Sequence, residues 1–342
     1  MVSHRRPSQS GLTRSVARGT VLSAAAAAAA ALTAVPAGAE PRDTAEATRA
    51  KVDRLHQEAE QATEKYNKAG EHVEQLNDQV LHAQDRVARS QERINRMREA
   101  LGSVAGAQYR SGGMDPALAL LLSKDPDSYL EAAATLDRIS ERHTSALADL
   151  RREQRGLGQE RAEAAQDLAE LERSRSAVAR HKRTVERKLG EARRLLNALP
   201  AEEREAYDRA SRSARGELPD LTGLVAGSPH AAAATMAARS VVGRPYVWGA
   251  NGPSGFDCSG LVQWSYAQAG VGLPRTSQAQ AHAGRRVSLA EARPGDIVTY
   301  RSDASHVGMY VGNGQVVHAP YPGASVRYDP VGMMPVNAVT RV

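Results

Sequence analysis

One cysteine and two histidines near the C-terminal end of the chain supply the residue types that nucleophilic hydrolysis needs. Cys258 is the only cysteine in 342 residues, so neither an intramolecular disulfide nor a multi-cysteine metal site is available. It sits in Gly255-Phe256-Asp257-Cys258-Ser259-Gly260, with Leu261, Val262, Trp264 and Tyr266 following at helical spacing. That pattern predicts a helix that starts at the thiol and ends near Gly270. A helix N-terminus favours an anion, so the spacing predicts an ionised, nucleophilic thiolate. A lone cysteine is more often an inert, buried side chain. Small polar neighbours weigh against that reading here.

A thiol nucleophile needs a base and a group to orient the base. Pro294-Gly295-Asp296 reads as a turn into a strand through Tyr300. His306 to Val311 reads as a second strand, Gly312-Asn313-Gly314 as a hairpin turn, and Gln315 to Pro320 as the returning strand. His306 and His318 are nearly symmetric about Gly312, so they should stand almost opposite each other. Either histidine alone is more often a satisfied core or surface residue. Both on facing strands, downstream of a helix-start cysteine, form a candidate triad in which one is the base and the other orients it. A zinc site of Cys258, His306 and His318 lacks an evident fourth ligand, so neither metal nor cofactor is expected.

The elements that must position this triad occupy only the last third of the chain. Nine of the 13 aromatic residues follow residue 240, and no lysine occurs in residues 230–342, so a compact unit begins near Pro229. Ahead of it runs a long 3-4 repeat: Val52, Leu55, Ala59, Ala62, Tyr66, Ala69, Val73, Leu76, Val80, Ala83, Val87, Ser90, Ile94, Met97, Leu101 and Val104. After Ser111-Gly112-Gly113 and a short apolar insert, a second periodic stretch carries Leu150, Leu157, Ala164, Leu171, Val178, Val185, Ala192 and Leu199. Two helices of roughly 65 and 70 residues, each about 100 Å long, are predicted to fold back as an antiparallel coiled-coil hairpin; two parallel homodimeric coiled coils are the alternative. The charges outside the apolar columns read as a solvated face.

The N-terminus has a basic stretch through Arg18, an apolar run from Val21 to Val35, and Ala37-Gly38-Ala39. This is the pattern of a secretory signal, with a run shorter than the ~20 residues that span a bilayer. No cysteine stands at the cleavage point, which excludes a lipid-anchored lipoprotein. Removing residues 1–39 takes away four arginines and leaves 41 basic against 39 acidic residues, a balance that does not indicate a nucleic-acid binder. The expected organisation is signal 1–39, hairpin 40–215, linker 216–229 with Pro219, Gly223 and Gly227, and a C-terminal domain 230–342; the expected location is extracellular.

Tyr246-Val247-Trp248-Gly249, Asp257-Cys258-Ser259-Gly260-Leu261-Val262, Leu273-Pro274-Arg275-Thr276-Ser277, Pro294-Gly295-Asp296, His306-Val307-Gly308-Met309-Tyr310 and His318-Ala319-Pro320 occur in that order. In these motifs residues 230–342 resemble the NlpC-type family of bacterial cell-wall endopeptidases, which share a compact papain-like cysteine peptidase fold. The family's second glycine after Trp248-Gly249 is Ala250 here. The hairpin adds a looser likeness to the secreted hydrolases that Gram-positive bacteria use in cell separation. The fold class implied is α+β: a long helical hairpin followed by a papain-like domain. The resemblance implies cleavage of peptidoglycan stem peptides between D-glutamate and the diamino acid. It makes Cys258 the nucleophile, His306 the base and His318 the orienting member. It also gives Tyr246 a place in the oxyanion site and sets Asp257 and Ser259 against the substrate peptide. A division-associated membrane complex is the partner it suggests for the hairpin. The rival readings are a non-catalytic wall scaffold and an amidase on the same fold.

Overall fold

The computed structural model describes residues 44–110, 118, 122, 126–213 and 225–342, all within one compact unit, Asp43–Val342. The segment expected to be a signal, the glycine pair after the first helix and most of the expected linker lie outside the described residues. Helix α1 spans Ala45–Arg110 and α2 spans Pro126–Ala198, 66 and 73 residues, close to the lengths expected. They run antiparallel within one chain. Val52 and Leu55 pack on Ala192, Ala59 and Ala62 on Val185 and Leu189, and Leu76 and Val80 on Leu171. The apolar columns are thus spent inside the hairpin, which disposes of the parallel-dimer alternative. Pro200 cannot continue α2. After it α3, Ala201–Ser213, turns back and sets Tyr207 against the cluster of Val52, Leu55 and Ala192.

The C-terminal domain opens with α4, Pro229–Ser240. Ser228 caps it by accepting the Ala231 N–H, and Pro229 stands where no backbone donor is needed. Helix α5 is Cys258–Gln268 and α6 is Ser277–Gln280. Six strands follow: β1 Arg285–Val287, β2 Ile297–Tyr300, β3 His306–Gly312, β4 Gln315–His318, β5 Arg327–Pro330 and β6 Val336–Arg341. They form one antiparallel sheet in the order β1-β6-β2-β3-β4-β5. Strand alternation divides its side chains between two cores. Ile297, Val307, Met309, Val311, Val317 and Tyr328 pack with Leu261, Val262 and Tyr266 of α5 and with Ala234 and Ala238 of α4. Val298, Tyr300, Val316 and Val339 form a second cluster with Met333 and Met334. The domain is α+β, as expected.

Candidate active site

Cys258 occupies the first position of α5, as its flanking residues predict. Asp257 is the N-cap: its Oδ1 accepts the Gly260 N–H at 2.6 Å. Gly260 has no room for a side chain, because a Cβ there would stand 2.2 Å from the Ala250 carbonyl oxygen. That close approach ties the helix start to the loop after Trp248, where Ala250 accepts the Asp257 N–H at 2.9 Å. The second oxygen of Asp257 takes Arg275 at 2.6 Å and the Gly249 N–H at 3.0 Å. Arg275 also donates to Ser259 Oγ at 3.0 Å. Tyr246 is buried in the core cluster that contains Cys258. Burial, reinforced by Cys258 and Glu60, pushes its phenol well up.

The histidines lie on one face of the sheet. Register pairs His306 with Tyr300, Tyr310 with Val316, and His318 with Arg327. A bulge between Tyr310 and Gly312 shifts the hairpin, so the two rings meet diagonally rather than face on, His306 Nε2 to His318 Nδ1 at 2.8 Å. Gly308 lies directly opposite His318, where a Cβ would press on the His318 Cβ at 3.2 Å. His318 Nε2 in turn meets Asp329 Oδ2 at 2.8 Å, which also accepts from Arg327 Nε at 2.8 Å. Burial pushes the His318 imidazole down to about 4, so it is neutral at neutral pH. Burial alone would raise Asp329, but hydrogen bonds from His318 and Arg327 hold its carboxyl below the ordinary range.

One face of α1 lies across this constellation. Glu64 accepts from Ser259 Oγ at 2.7 Å and from the Ser277 N–H at 2.9 Å, and its Oε1 is 3.7 Å from Cys258 Sγ. Glu60 meets His306 Nδ1 at 3.1 Å and Arg301 at 2.6 Å. Asn67 donates to Asp257 Oδ2 at 3.0 Å. Further along, Tyr66 sets its edge on Trp248 and His56 stacks on Tyr321. Openings of about 700 and 470 Å³ remain on either side of the helix. Thr276 and Ser305 line the first; Tyr321 and Asp329 line the second.

Two expectations change. The thiol is not the ionised group anticipated: burial, and then the carboxylates of Glu64, Asp257 and Glu60, push Cys258 well up. The favourable end of α5 is outweighed because α1 excludes water and brings negative charge to the sulfur. The charges of α1 are not uniformly solvated either: Glu60, Glu64 and Asn67 are 3, 3 and 4% exposed. Their spacing, with His56 ahead of them, is a second helical column beside the apolar one. That column was visible in the sequence, but a glutamate on it reads as exposed until a partner surface is known. Asp329 and Arg301 were missed as well, and Arg275 stood in a matched motif without a role, because arginine and aspartate on strands or loops carry no local signature of pairing. Asp257, Ser259 and Tyr246 all border the nucleophile, and Asp257 is reached from the cleft by Asn67.

A cysteine at a helix start and a strand-borne histidine pair, both covered by the same face of α1, are the residue set that a thiol hydrolase site requires. Residues 243–339 match the model of the NlpC/P60 family. The chain is 52% identical over 99 residues to a probable endopeptidase of Mycobacterium tuberculosis, covering 29% of this chain and 26% of that one. It is 47% identical over 105 residues to a probable endopeptidase of Corynebacterium glutamicum, covering 31% and 50%. The NlpC/p60 domain of the peptidoglycan hydrolase SagA is 36% identical, with 33% of this chain and 98% of that one covered and a TM-score of 0.31. The chain thus spans between a quarter and a half of these two curated relatives. Its C-terminal domain belongs to the NlpC/P60 family.

Proposed function

We propose that the protein is an exported cysteine endopeptidase of peptidoglycan, cutting the stem peptide between D-glutamate and the diamino acid, and that α1 holds it shut. The observation that carries the reading is the union, in an NlpC/P60 domain, of a helix-start thiol with the His306–His318 pair. Cys258 attacks the amide carbonyl while its proton passes to His306, and a thioacyl enzyme forms. His306 then protonates the departing amine of the diamino acid and activates the water that releases the acyl group. The backbone N–H groups at the start of α5 and the Tyr246 hydroxyl are the oxyanion donors of this scheme.

Closure is supported by what α1 engages. Glu60 takes the base, Glu64 takes the neighbourhood of the nucleophile, and Asn67 takes Asp257. A substrate strand needs those same groups, so chemistry requires α1 to leave. The signal-like N-terminus motivates export, and a membrane-embedded division complex acting on the hairpin is the partner such a latch calls for. The test compares the full chain with its Glu60→Ala/Glu64→Ala variant on purified sacculi and muropeptides, identifies fragments by mass, and uses Cys258→Ala as control. The expected result is peptides beginning with the diamino acid, abundant only in the double variant and absent with Cys258→Ala. Release of intact stems from the sugar would mean an amidase, and no fragments from any form would mean a scaffold.

A further inference from the structure

The relay continues one residue beyond the pair already described. Through β3, β4 and β5, alternation and register put His306, His318, Arg327 and Asp329 on one sheet face. Asp329 is a carboxylate, and a carboxylate only accepts. The 2.8 Å contact to His318 therefore requires a proton on His318 Nε2. A neutral imidazole has one ring proton, so His318 Nδ1 carries a lone pair and must accept at its own 2.8 Å contact. The donor there is His306 Nε2–H. That leaves His306 Nδ1, the nitrogen that faces the cleft: it donates to the Glu60 carboxylate of α1 at 3.1 Å in the closed form, and only when α1 leaves is it released to act as the base.

We propose that Asp329 is a positioning residue that sets the tautomer of both histidines, leaving His306 Nδ1 as the atom that takes the Cys258 proton. The inference rests on the reading of His306 as the base. In the step concerned the S–H bond of Cys258 breaks, an N–H bond forms at His306 Nδ1, and the resulting imidazolium keeps its other N–H on neutral His318. The proton later leaves from the same Nδ1 to the departing amine, so the balance closes without another reactant. With Asp329 gone, His318 is free to carry its proton on Nδ1. It would then donate to His306 Nε2 and force the single proton of neutral His306 onto Nδ1, the wrong nitrogen for a base. Arg327 supports the arrangement by donating to the same oxygen of Asp329.

The test reads the ring nitrogens of the full-length protein by long-range ¹H–¹⁵N correlation at neutral pH, with no substrate present. The wild type should carry the His318 proton on Nε2, and Asp329→Ala should move it substantially to Nδ1. In the Glu60→Ala/Glu64→Ala background, Asp329→Ala should lower kcat on the order of 10–100-fold with KM nearly unchanged. Asp329→Asn, whose amide oxygen can take the same two donors, should recover most of that loss. An unchanged tautomer, or an unchanged kcat, in Asp329→Ala overturns the proposal. If that variant does not fold, a wild-type His318 protonated on Nδ1 overturns it, and one protonated on Nε2 supports it. Because the tautomer is read without substrate, failure to cleave wall peptides is a separate result that bears on the peptidase reading alone.

Discussion

Between Val52 and Asn67, α1 buries two glutamates, an asparagine and a histidine, whereas between Asp85 and Arg110 the same helix leaves its charged side chains exposed or half-exposed. Both stretches follow one apolar repeat and both face α2. In the outer stretch the ion pairs Asp85–Arg89 and Glu92–Arg96 are i,i+4 surface pairs, each worth ~0–1 kcal/mol. In the inner stretch Glu60 and Glu64 meet a second surface, the cleft of the C-terminal domain, and there they pair with buried donors. What decides the role of a charge on this helix is the surface packed against it, not the helix position. The alanines of the inner repeat, Ala59 and Ala62, fit the same account, since small side chains let α1 sit close to both neighbours.

The contrast breaks most sharply under mutation of the inner carboxylates. Glu60→Ala/Glu64→Ala strips His306, Arg301, Ser259 and Ser277 of their α1 partners. Removing one partner of a buried pair costs ~3–5 kcal/mol. Opening should rise on the order of 10²–10³-fold, read as hydrolysis of sacculi, while Glu92→Ala and Arg96→Ala should leave hydrolysis unchanged. A rate equal to wild type in the double variant would erase the distinction between the two regions.

A smaller effect should appear with pH. Burial, then the nearby Asp257, raises Glu64 to about 7 in the closed form. A carboxyl whose closed-state value is raised favours closure while it stays protonated. Between its ordinary value near 4.5 and about 7, rising pH therefore weakens closure progressively, and above that the effect levels off. Glu60 acts with the opposite sign. Burial would raise it, but His306 and Arg301 bring it below its ordinary value, so its contribution is complete above 4.5 and is lost in acid. Closure should be tightest in mild acid and loosen on the way to neutrality. Glu64→Gln should flatten the neutral limb in a fluorescence or hydrogen-exchange measurement of opening. An unchanged neutral limb in that variant would remove Glu64 as its cause.

Smaller still is the outer hairpin. Arg93 pairs with Glu153 of α2 across a half-exposed contact. Arg93→Ala should lower stability by ~1 kcal/mol or less in chemical unfolding, with no change in wall cleavage. A change in cleavage would mean that the outer stretch also senses the cleft.

Much of this architecture was legible in the residue pattern. The two apolar columns specified an antiparallel hairpin of nearly the observed length, and the turn at Gly312-Asn313-Gly314 specified the strands that carry both histidines. Cys258 was recognisable because a capping aspartate precedes a helical run. The ionisation of the thiol was not legible, since it depends on α1 residues more than 190 positions away in sequence, Glu64 and Glu60. Nor was Asp329, whose role depends on strand register two strands away from His306. Local chemistry marks where a nucleophile can sit; long-range packing determines whether it is free to act.

The rate of Cys258 alkylation by iodoacetamide tests closure most directly, because this is the only thiol in the chain and the reaction needs no wall substrate. At pH 7 the full-length protein should react on the order of 10²-fold more slowly than its Glu60→Ala/Glu64→Ala variant, with both folded by circular dichroism. Equal rates in the two proteins would contradict closure of the cleft by α1.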